Sequence, residues 1–312
     1  MTPEHALEKL SKGQSLLREE ARGVFLRVLR GEVSPAQTGA LLMGLRQKGE
    51  TAEELAGVVT AMRECMVPVD LGGIEAVDTC GTGGDGLATV NVSTAAAFVT
   101  AGAGVPVAKH GNRSASGKVG SADVLEALGV PVEKPAAEVA RDVREHGLGF
   151  MFAPAFHPAL RGLAPIRREL GMRTVFNLCG PLANPARPAF QVIGVPELRL
   201  VDLVAGTLAG LGVKRATVVH GAGGADEATL EARNAVATVN GGQRRSVLID
   251  FSQAWGMPRV RTSELAGGTA AENAARIVEV LEGRPGPVAE VVILNAAVAI
   301  QTARGCAPAE AV

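Results

Sequence analysis

The pattern of apolar and polar positions divides the chain into a helical first part and an alternating remainder. Up to about residue 66, apolar side chains recur at helical spacing. Two helix starts are clear: Ser34-Pro35 places proline at the first helical position, and Thr51 to Glu54 forms a capping box. From about residue 72, short apolar runs alternate with amphipathic segments. This alternation predicts a parallel α/β sheet.

The second part of the chain contains most of the predicted elements. We predict strands near residues 75–80, 105–109, 149–152, 190–195, 216–220 and 245–250. We predict helices over 93–103, 121–128, 136–147, 199–212, 270–283 and 288–304. The proline-punctuated segment 153–173 is also predicted to be helical, and it interrupts the alternation.

The predicted fold class is therefore α/β, with two domains. A small all-helical domain would comprise residues 1–68, joined by about 155–185. A larger α/β domain with a central, mostly parallel sheet would comprise 69–154 and 186–312. A chain of 312 residues with 47% hydrophobic content is long and apolar enough to bury a large core.

Charge and composition exclude several classes of partner. A formal net charge of −1 gives no general attraction to nucleic acid or to an anionic membrane. Only 3% of residues are aromatic, which leaves few platforms for stacking bases. The apolar runs are too short to span a bilayer, and the charged N-terminus lacks the apolar core of a signal peptide. The four cysteines lie far apart with no C-x-x-C pair. We expect no nucleic-acid or membrane partner, and a reducing cytoplasm.

The most informative segment is 77–94, VDTCGTGGDGLATVNVST. A short apolar run leads into four glycines within six residues, and a helix start follows. Glycine lets the backbone approach a phosphate closely, and the free N–H groups and dipole of a helix N-terminus attract negative charge. This segment predicts a phosphorylated ligand.

The same glycines also fit a dinucleotide fingerprint, because Gly81, Gly83 and Gly86 match G-x-G-x-x-G. A dinucleotide-binding unit needs an acidic residue at the end of the second strand to hold the ribose hydroxyls. Here that strand ends in Lys109-His110. A cation at this position suits a further phosphate, so we reject the dinucleotide interpretation.

The second motif is a basic loop, defined here as residues 109–118, with the sequence KHGNRSASGK. Its three cations, Lys109, Arg113 and Lys118, can make charge-assisted hydrogen bonds to phosphate oxygens. A solvated basic loop is the alternative. Since the loop follows the strand after the glycine-rich turn, the two motifs predict a ligand with phosphate at both ends.

The third motif is the acid pair Asp226-Glu227, on a glycine-rich loop after an apolar strand. Adjacent acids are usually surface charge. At the carboxyl end of a strand, however, carboxylates are suited to Mg²⁺, which shares phosphate oxygens of the substrate. The Ser93 hydroxyl is a further candidate ligand. The sequence therefore predicts a Mg²⁺ site formed by Ser93, Asp226 and Glu227.

Two further candidates, His157 and Arg167, lie in the segment 153–173. Taken alone, His157 is more often structural, and Arg167 is more often solvated or paired with Glu169. The sequence shows no nucleophile–His–acid set and no paired-carboxylate arrangement for acid–base chemistry. Phosphate-binding loops with Mg²⁺ and no nucleophile favour substitution at a substrate carbon, with pyrophosphate leaving.

These motifs together resemble the anthranilate phosphoribosyltransferase family. The resemblance runs in order along nearly the whole chain and rests on these segments: 81–85 (GTGGD), 91–94 (NVST), 109–113 (KHGNR), 120–129 (GSADVLEALG), 176–185 (FNLCGPLANP), 226–227 (DE) and 294–297 (LNAA). It implies transfer of phosphoribose from 5-phosphoribosyl diphosphate to the amine of anthranilate, an early step of tryptophan synthesis. It also implies a homodimer built through the small helical domain.

The resemblance also implies roles for individual residues. Those expected to hold 5-phosphoribosyl diphosphate are Gly81, Gly84, Asp85, Thr89, Asn91, Val92, Ser93, Thr94, Lys109, His110, Gly111, Asn112, Arg113, Ser114, Ser116, Gly117 and Ser121. Those expected at anthranilate are Gly81, Asn112, His110, His157 and Arg167, with Arg167 pairing with the carboxylate. No general base or nucleophile is assigned.

Two alternatives stay open at this point. A pyrimidine nucleoside phosphorylase of the same architecture would need a base-recognising Arg–Ser–Lys set, which we do not find in the sequence. A catalytically silent nucleic-acid-binding relative would use the basic loop as its contact surface. Near-neutral charge and scarce aromatic residues count against it.

Overall fold

The computed structural model describes residues 1–114 and 119–312. The N-terminal part is a helical bundle, as predicted, made of α1 (Pro3–Ser11), α2 (Arg18–Leu29), α3 (Pro35–Lys48) and α4 (Ala52–Cys65). The predicted capping box opens α4: Thr51 Oγ1 accepts a hydrogen bond from the Glu54 N–H at 3.2 Å, and Glu54 Oε2 accepts one from the Thr51 N–H at 2.8 Å. These contacts satisfy N–H groups that a helix start leaves free.

The second part contains a mostly parallel sheet, which confirms the predicted fold class. Its strands are β1 (Val77–Gly81), β2 (Val107–Gly111), β3 (Leu148–Phe152), β4 (Phe190–Gly194), β5 (Arg215–His220), β6 (Asn234–Asn240) and β7 (Gln243–Ile249). The strand order over the described residues is β3-β2-β1-β4-β5-β6-β7. Strands β1 to β5 are parallel, and β6 and β7 pair antiparallel with their neighbours.

The sequence prediction missed β6. It placed one strand near 245–250, where the structure forms a β6–β7 hairpin through Gly241-Gly242. Strand β6 begins and ends with asparagine and contains two alanines, residue types that are depleted in strands. Its pairing with β5 and β7, rather than its own propensity, makes it a strand.

Helices cover both faces of the sheet, and those that the sequence predicts lie close to their predicted positions, whereas the short helices Phe251–Trp255 and Pro308–Ala311 correspond to no predicted helix. They are α5 (Val92–Gly102), α6 (Ser121–Ala127), α7 (Ala136–His146), α8 (Ala153–Phe156), α9 (Ala164–Leu170), α10 (Val175–Leu182), α11 (Arg199–Gly210), α12 (Phe251–Trp255), α13 (Ala270–Leu281), α14 (Pro287–Arg304) and α15 (Pro308–Ala311). No helix in the described ranges is long and apolar enough to cross a membrane.

One continuous apolar core joins the helical bundle to the sheet. Buried side chains of the bundle, such as Phe25 and Leu55, belong to the same cluster as Ile193 on β4 and Leu208 on α11. Phe25 also packs edge-to-face on Phe176 of α10, with ring centroids 5.8 Å apart. A second cluster, built largely from α5 and α14, covers the opposite face of the sheet.

The strand order places a switch point at the centre of the sheet. From β1 the chain proceeds to β2 and β3 on one side, whereas β4 and β5 lie on the other side. Open α/β sheets bind ligands outside the carboxyl ends of the strands at such a point. The carboxyl ends of β1 and β4 therefore mark where the site should form.

Candidate active site

Two glycines end the strands at the switch point and make room for the acid pair. Gly81 ends β1 and Gly194 ends β4, and the two residues are partners in the ladder. A Cβ atom built on Gly81 would overlap the Asp226 carboxylate, and one built on Gly194 would overlap the Asp226 backbone. Asp226 thus fills the space that side chains on these two strands would otherwise take.

The acid pair accepts hydrogen bonds from both predicted anion-binding elements, the glycine-rich turn and the start of α5. Asp226 Oδ2 accepts a hydrogen bond from the Gly83 N–H at 2.7 Å, and Glu227 Oε1 accepts one from the Ser93 N–H at 3.2 Å. Gly83 lies in the glycine-rich turn, and Ser93 lies in the first turn of α5. The structure therefore brings the acid pair at 226–227 against both the glycine-rich turn at 81–86 and the helix start at 91–94.

Burial and mutual repulsion raise the pKa values of the acid pair. Burial, with a contribution from the nearby charge of Asp85, raises the pKa of Asp226 to about 7. Burial and the charge of Asp226 raise the pKa of Glu227 well above its usual range. A divalent cation would relieve the repulsion, because carboxylates are its preferred ligands.

The donor set at this edge fits Mg²⁺ with shared ligands rather than a closed protein cage. Within residues 1–114 and 119–312, no three His, Cys, Asp or Glu side chains converge as a metal-binding group. Two carboxylates and the Ser93 hydroxyl leave positions for water and phosphate oxygens, as is usual for Mg²⁺.

Lys109 lies beneath the site rather than projecting from the sheet edge. Its side chain is buried. The amine donates to the Thr79 carbonyl oxygen at 2.5 Å and to Ser93 Oγ at 3.3 Å. Burial lowers the pKa of Lys109, whereas the charge of nearby Asp78 opposes that shift. In this structure Lys109 orients the Ser93 hydroxyl and supplies positive charge below it.

The glycine-rich loop is fixed by residues that sequence analysis did not single out. Arg173, between α9 and α10, donates to the Thr82 carbonyl at 3.2 Å. Its guanidinium fills the space where a Cβ on Gly84 would lie. On the other side, Asn273 of α13 accepts a hydrogen bond from the Asn91 N–H at 2.9 Å. Asn91 in turn donates to the Val119 carbonyl at 3.0 Å, which ties the start of α5 to the residue after the basic loop.

The other predicted residues of this segment have varied surroundings. Asp85 Oδ1 accepts a hydrogen bond from the Leu87 N–H at 3.1 Å. Thr89 forms an isolated antiparallel bridge with Ala266. The side chains of Val92 and Thr94 are fully buried, and Thr94 Oγ1 has no hydrogen-bond partner in the described ranges. Their contacts with substrate stay predictions.

The basic loop is partly described, and its arginine is engaged. Arg113 donates to Glu126 at 2.6 Å through both terminal nitrogens and to Asp123 at 2.9 Å. These two acids raise the pKa of Arg113. Ser121 Oγ donates to the Asn112 carbonyl at 3.3 Å and fills the space beside Gly111. The Ser114 N–H reaches Asp123 at 3.5 Å. The predicted contacts Ser116 and Gly117, together with Lys118, lie outside the described residues.

Two buried histidines lie next to one another. The rings of His110, near the end of β2, and His157, after α8, have centroids 5.1 Å apart. Burial lowers the pKa of His110 to about 3 and that of His157 to about 4. Both imidazoles are therefore neutral at pH 7. Neither Nε2 atom has a hydrogen-bond partner in the described part of the chain.

Arg167 keeps its charge available for a ligand. It lies on α9, half-buried, with its guanidinium 5.9 Å from the centroid of the Phe176 ring. No ion pair with Glu169 or any other acid forms among the residues that the structure describes. Burial lowers the pKa of Arg167. A carboxylate ligand would compensate a cation placed in this way.

The family follows from comparison with known proteins. Residues 4–66 match the helical bundle domain of a glycosyl transferase family, and residues 73–311 match the a/b domain of such a family. The fold and the site thus define a glycosyltransferase of this helical-bundle and α/β type.

More specific relatives give the particular family. Anthranilate phosphoribosyltransferase from Thermomicrobium roseum is 51% identical over 95% of this chain and 86% of the relative. The crystal structure of that enzyme from Thermus thermophilus has a TM-score of 0.91 at 43% identity, covering 98% of this chain and 92% of the other. The Saccharomyces cerevisiae enzyme in complex with PRPP and Mg has a TM-score of 0.89 at 25% identity, covering 99% and 91%. This chain belongs to the anthranilate phosphoribosyltransferase family.

Proposed function

We propose that this protein transfers the phosphoribosyl group of 5-phosphoribosyl 1-diphosphate to the amine of anthranilate. The products are N-(5-phosphoribosyl)anthranilate and diphosphate, in the pathway to tryptophan. The observation that carries the proposal is the acid pair between the glycine-rich loop and the N-terminus of α5. Carboxylates beside two anion-binding elements suit a diphosphate that is bound through a metal.

The diphosphate would lie over the glycine-rich loop and the first turn of α5. Backbone N–H groups and the helix dipole stabilise negative charge there as the leaving group departs. Ser93, Asp226 and Glu227 would hold Mg²⁺. When bound, the ion neutralises charge on the leaving diphosphate. Lys109 keeps the Ser93 hydroxyl in place and adds a positive charge nearby.

Anthranilate would bind on the side of the segment that contains Arg167. The guanidinium can pair with the substrate carboxylate through two parallel hydrogen bonds. The neutral imidazoles of His110 and His157 suit an aromatic amine better than charged ones would, since they do not repel a group that becomes positive during attack. Gly81 and Asn112 complete the proposed contacts. Holding the two substrates in line would supply much of the rate.

The activity assay tests the proposal directly. Purified protein is mixed with anthranilate and 5-phosphoribosyl diphosphate, with and without Mg²⁺, and anthranilate fluorescence is followed. We expect depletion that requires both the sugar diphosphate and Mg²⁺. If anthranilate is not depleted when Mg²⁺ is present, the assignment is refuted. If it is depleted at the same rate in the presence of a chelator, the requirement for a metal is refuted.

The proposal also includes a homodimer, a cytoplasmic location and a helical domain that residues 155–185 join. Exposed Leu17 and Met43 on the bundle support a homodimer through the helical domain, which light scattering on the purified protein would test. The four free cysteines suit a reducing cytoplasm. The packing of Phe176 on Phe25 supports grouping residues 155–185 with the helical domain.

A further inference from the structure

Two asparagines hold the residues that directly follow the acid pair. Asn295 of α14 accepts a hydrogen bond from the Ala228 N–H at 3.0 Å and donates to the Ala228 carbonyl at 2.9 Å. Asn234, at the start of β6, does the same for the next residue: it accepts from the Thr229 N–H at 2.8 Å and donates to the Thr229 carbonyl at 2.9 Å. We call Asn295 and Asn234 the asparagine clamp.

The clamp satisfies backbone that water cannot reach. Ala228 and Thr229 are buried, so their N–H and C=O groups need partners within the protein. A side-chain amide offers a donor and an acceptor side by side, and it can therefore pair with both groups of one residue. Further hydrogen bonds fix each amide: Asn295 also donates to the Val291 carbonyl at 2.9 Å, and Asn234 donates to the Ala232 carbonyl at 3.0 Å.

The location of the clamp links it to the acid pair. Asn295 lines the same small cavity as Ser93, Asp226 and Glu227, at the carboxyl ends of β1 and β4. The two carboxylates repel each other in a buried place, and a free loop would let them separate toward water. The hydrogen bonds of the glycine-rich loop and α5 reach the carboxylate oxygens, whereas the clamp reaches the backbone behind them.

We infer that Asn295 and Asn234 are positioning residues for the acid pair, which hold the Asp226 and Glu227 backbone in place for a divalent cation bound with diphosphate. This inference rests on the proposed function. Both side-chain amides are engaged by the backbone of the two residues after the acid pair, so both act through the acid pair. Partners behind metal-binding side chains typically change metal affinity 10- to 100-fold when they are removed.

The test measures Mn²⁺ binding by electron paramagnetic resonance at saturating inorganic diphosphate, with no turnover involved. We expect Asn295→Ala and Asn234→Ala each to raise the Mn²⁺ dissociation constant about tenfold or more. The matched control is Asn177→Ala, which removes the amide that accepts from the Thr174 N–H at 2.9 Å at the start of α10. The control should lose stability while its Mn²⁺ dissociation constant stays within about twofold of the wild type.

A variant that fails to fold is replaced by the corresponding serine variant, Asn295→Ser or Asn234→Ser, which keeps one hydroxyl at the position of the amide. Mn²⁺ affinity within about twofold of the wild type in both folded variants overturns the clamp while leaving the proposed function intact. Equal weakening in Asn177→Ala also overturns it, because the effect would then be general destabilisation. If the wild-type protein binds diphosphate but does not bind Mn²⁺, both the clamp and the metal-dependent function are overturned.

Discussion

Gly194 leaves the space that the backbone of Asp226 occupies: a single methyl group on Gly194 would overlap that backbone. The two residues are far apart in sequence, and they meet because β4 ends where the loop after β5 turns back over the sheet. The absence of a side chain on one strand therefore sets the position of a carboxylate from another. Without that glycine, the acid pair could not reach Gly83 and Ser93.

Gly194→Ala should damage both the fold and the metal response. Overpacking against backbone typically costs about 1–3 kcal/mol in the free energy of unfolding. Since Asp226 must move, the Mg²⁺ concentration for half-maximal turnover should rise at least about tenfold. Urea unfolding and a Mg²⁺ titration of initial rates measure the two effects. Gly210→Ala is the control, because a Cβ there meets no atom within 4 Å. An unchanged Mg²⁺ response in Gly194→Ala would contradict this account.

Arg167→Gln should weaken the binding of anthranilate and leave the binding of 5-phosphoribosyl diphosphate unchanged. Loss of a charge-assisted pair with the anthranilate carboxylate should raise the KM for anthranilate by about 10- to 100-fold. The KM for 5-phosphoribosyl diphosphate should stay within about twofold. Steady-state kinetics with each substrate varied in turn gives both values. Arg168→Gln removes the same charge from an exposed position on the same helix and serves as the control. Equal changes in both KM values would show that Arg167 acts on the fold.

Glu126→Gln should improve binding of the sugar diphosphate. Arg113 is held by Glu126 in this structure, so a phosphate must compete with that carboxylate. Because the pair is exposed, the gain is small, and we expect the KM for 5-phosphoribosyl diphosphate to fall about two- to fivefold at low salt. Glu138→Gln makes the same charge change on α7 and serves as the control. A higher KM in Glu126→Gln would instead mean that the pair holds Arg113 ready for phosphate.

His157 should make the folded state more stable as pH rises through the weakly acidic range. Its folded pKa of about 4 is lower than the usual 6.5, so the unfolded chain binds more protons between these values. Its contribution is complete above about pH 6.5 and declines toward pH 4, by up to about 1.4 kcal/mol per pH unit. Asp78 and Asp226 have raised pKa values, so their contribution to the free energy of unfolding falls as pH rises. The effect of His157 is therefore isolated by comparing the wild type with a His157 variant.

His157→Gln provides that comparison. Chemical unfolding at several pH values between about 4.5 and 7 should show a smaller loss of stability on acidification than in the wild type. The matched variant His146→Gln removes an exposed histidine at the end of α7. If the free energy of unfolding depends on pH in the same way in the wild type and in His157→Gln, the claim that His157 is buried and neutral is contradicted.

The parts of the site that the sequence predicts are those encoded by contiguous residues. The strand, glycine turn and helix start over 77–94 form as β1, the loop and α5, since each step has a local cause in the apolar run, the glycines and the alanine-rich segment that follows them. Asp226-Glu227 was predictable because it follows an apolar strand, and parallel strands deliver their carboxyl ends to one edge.

The parts that the sequence does not predict depend on contacts between distant segments. Arg173 fills space beside Gly84, and the asparagine clamp pairs with backbone from other elements. No local pattern distinguishes the roles of such residues from those of surface arginines or other asparagines. Two of the residues missed have a sequence signal: Gly194 ends an apolar strand, and Asn295 lies in the segment 294–297 that carries the family resemblance. Lys109 was predicted as a cation at the sheet edge, but its burial beneath Ser93 required the folded packing.

The shared core bears on what would happen if the chain were cut. The two family descriptions divide it between residues 66 and 73, yet Phe25 and Leu55 on one side belong to the same buried cluster as Ile193 and Leu208 on the other. Proteolysis of that connection should therefore leave the two fragments associated, eluting together as a nicked protein. Expressed separately, the larger fragment would expose an apolar surface and aggregate.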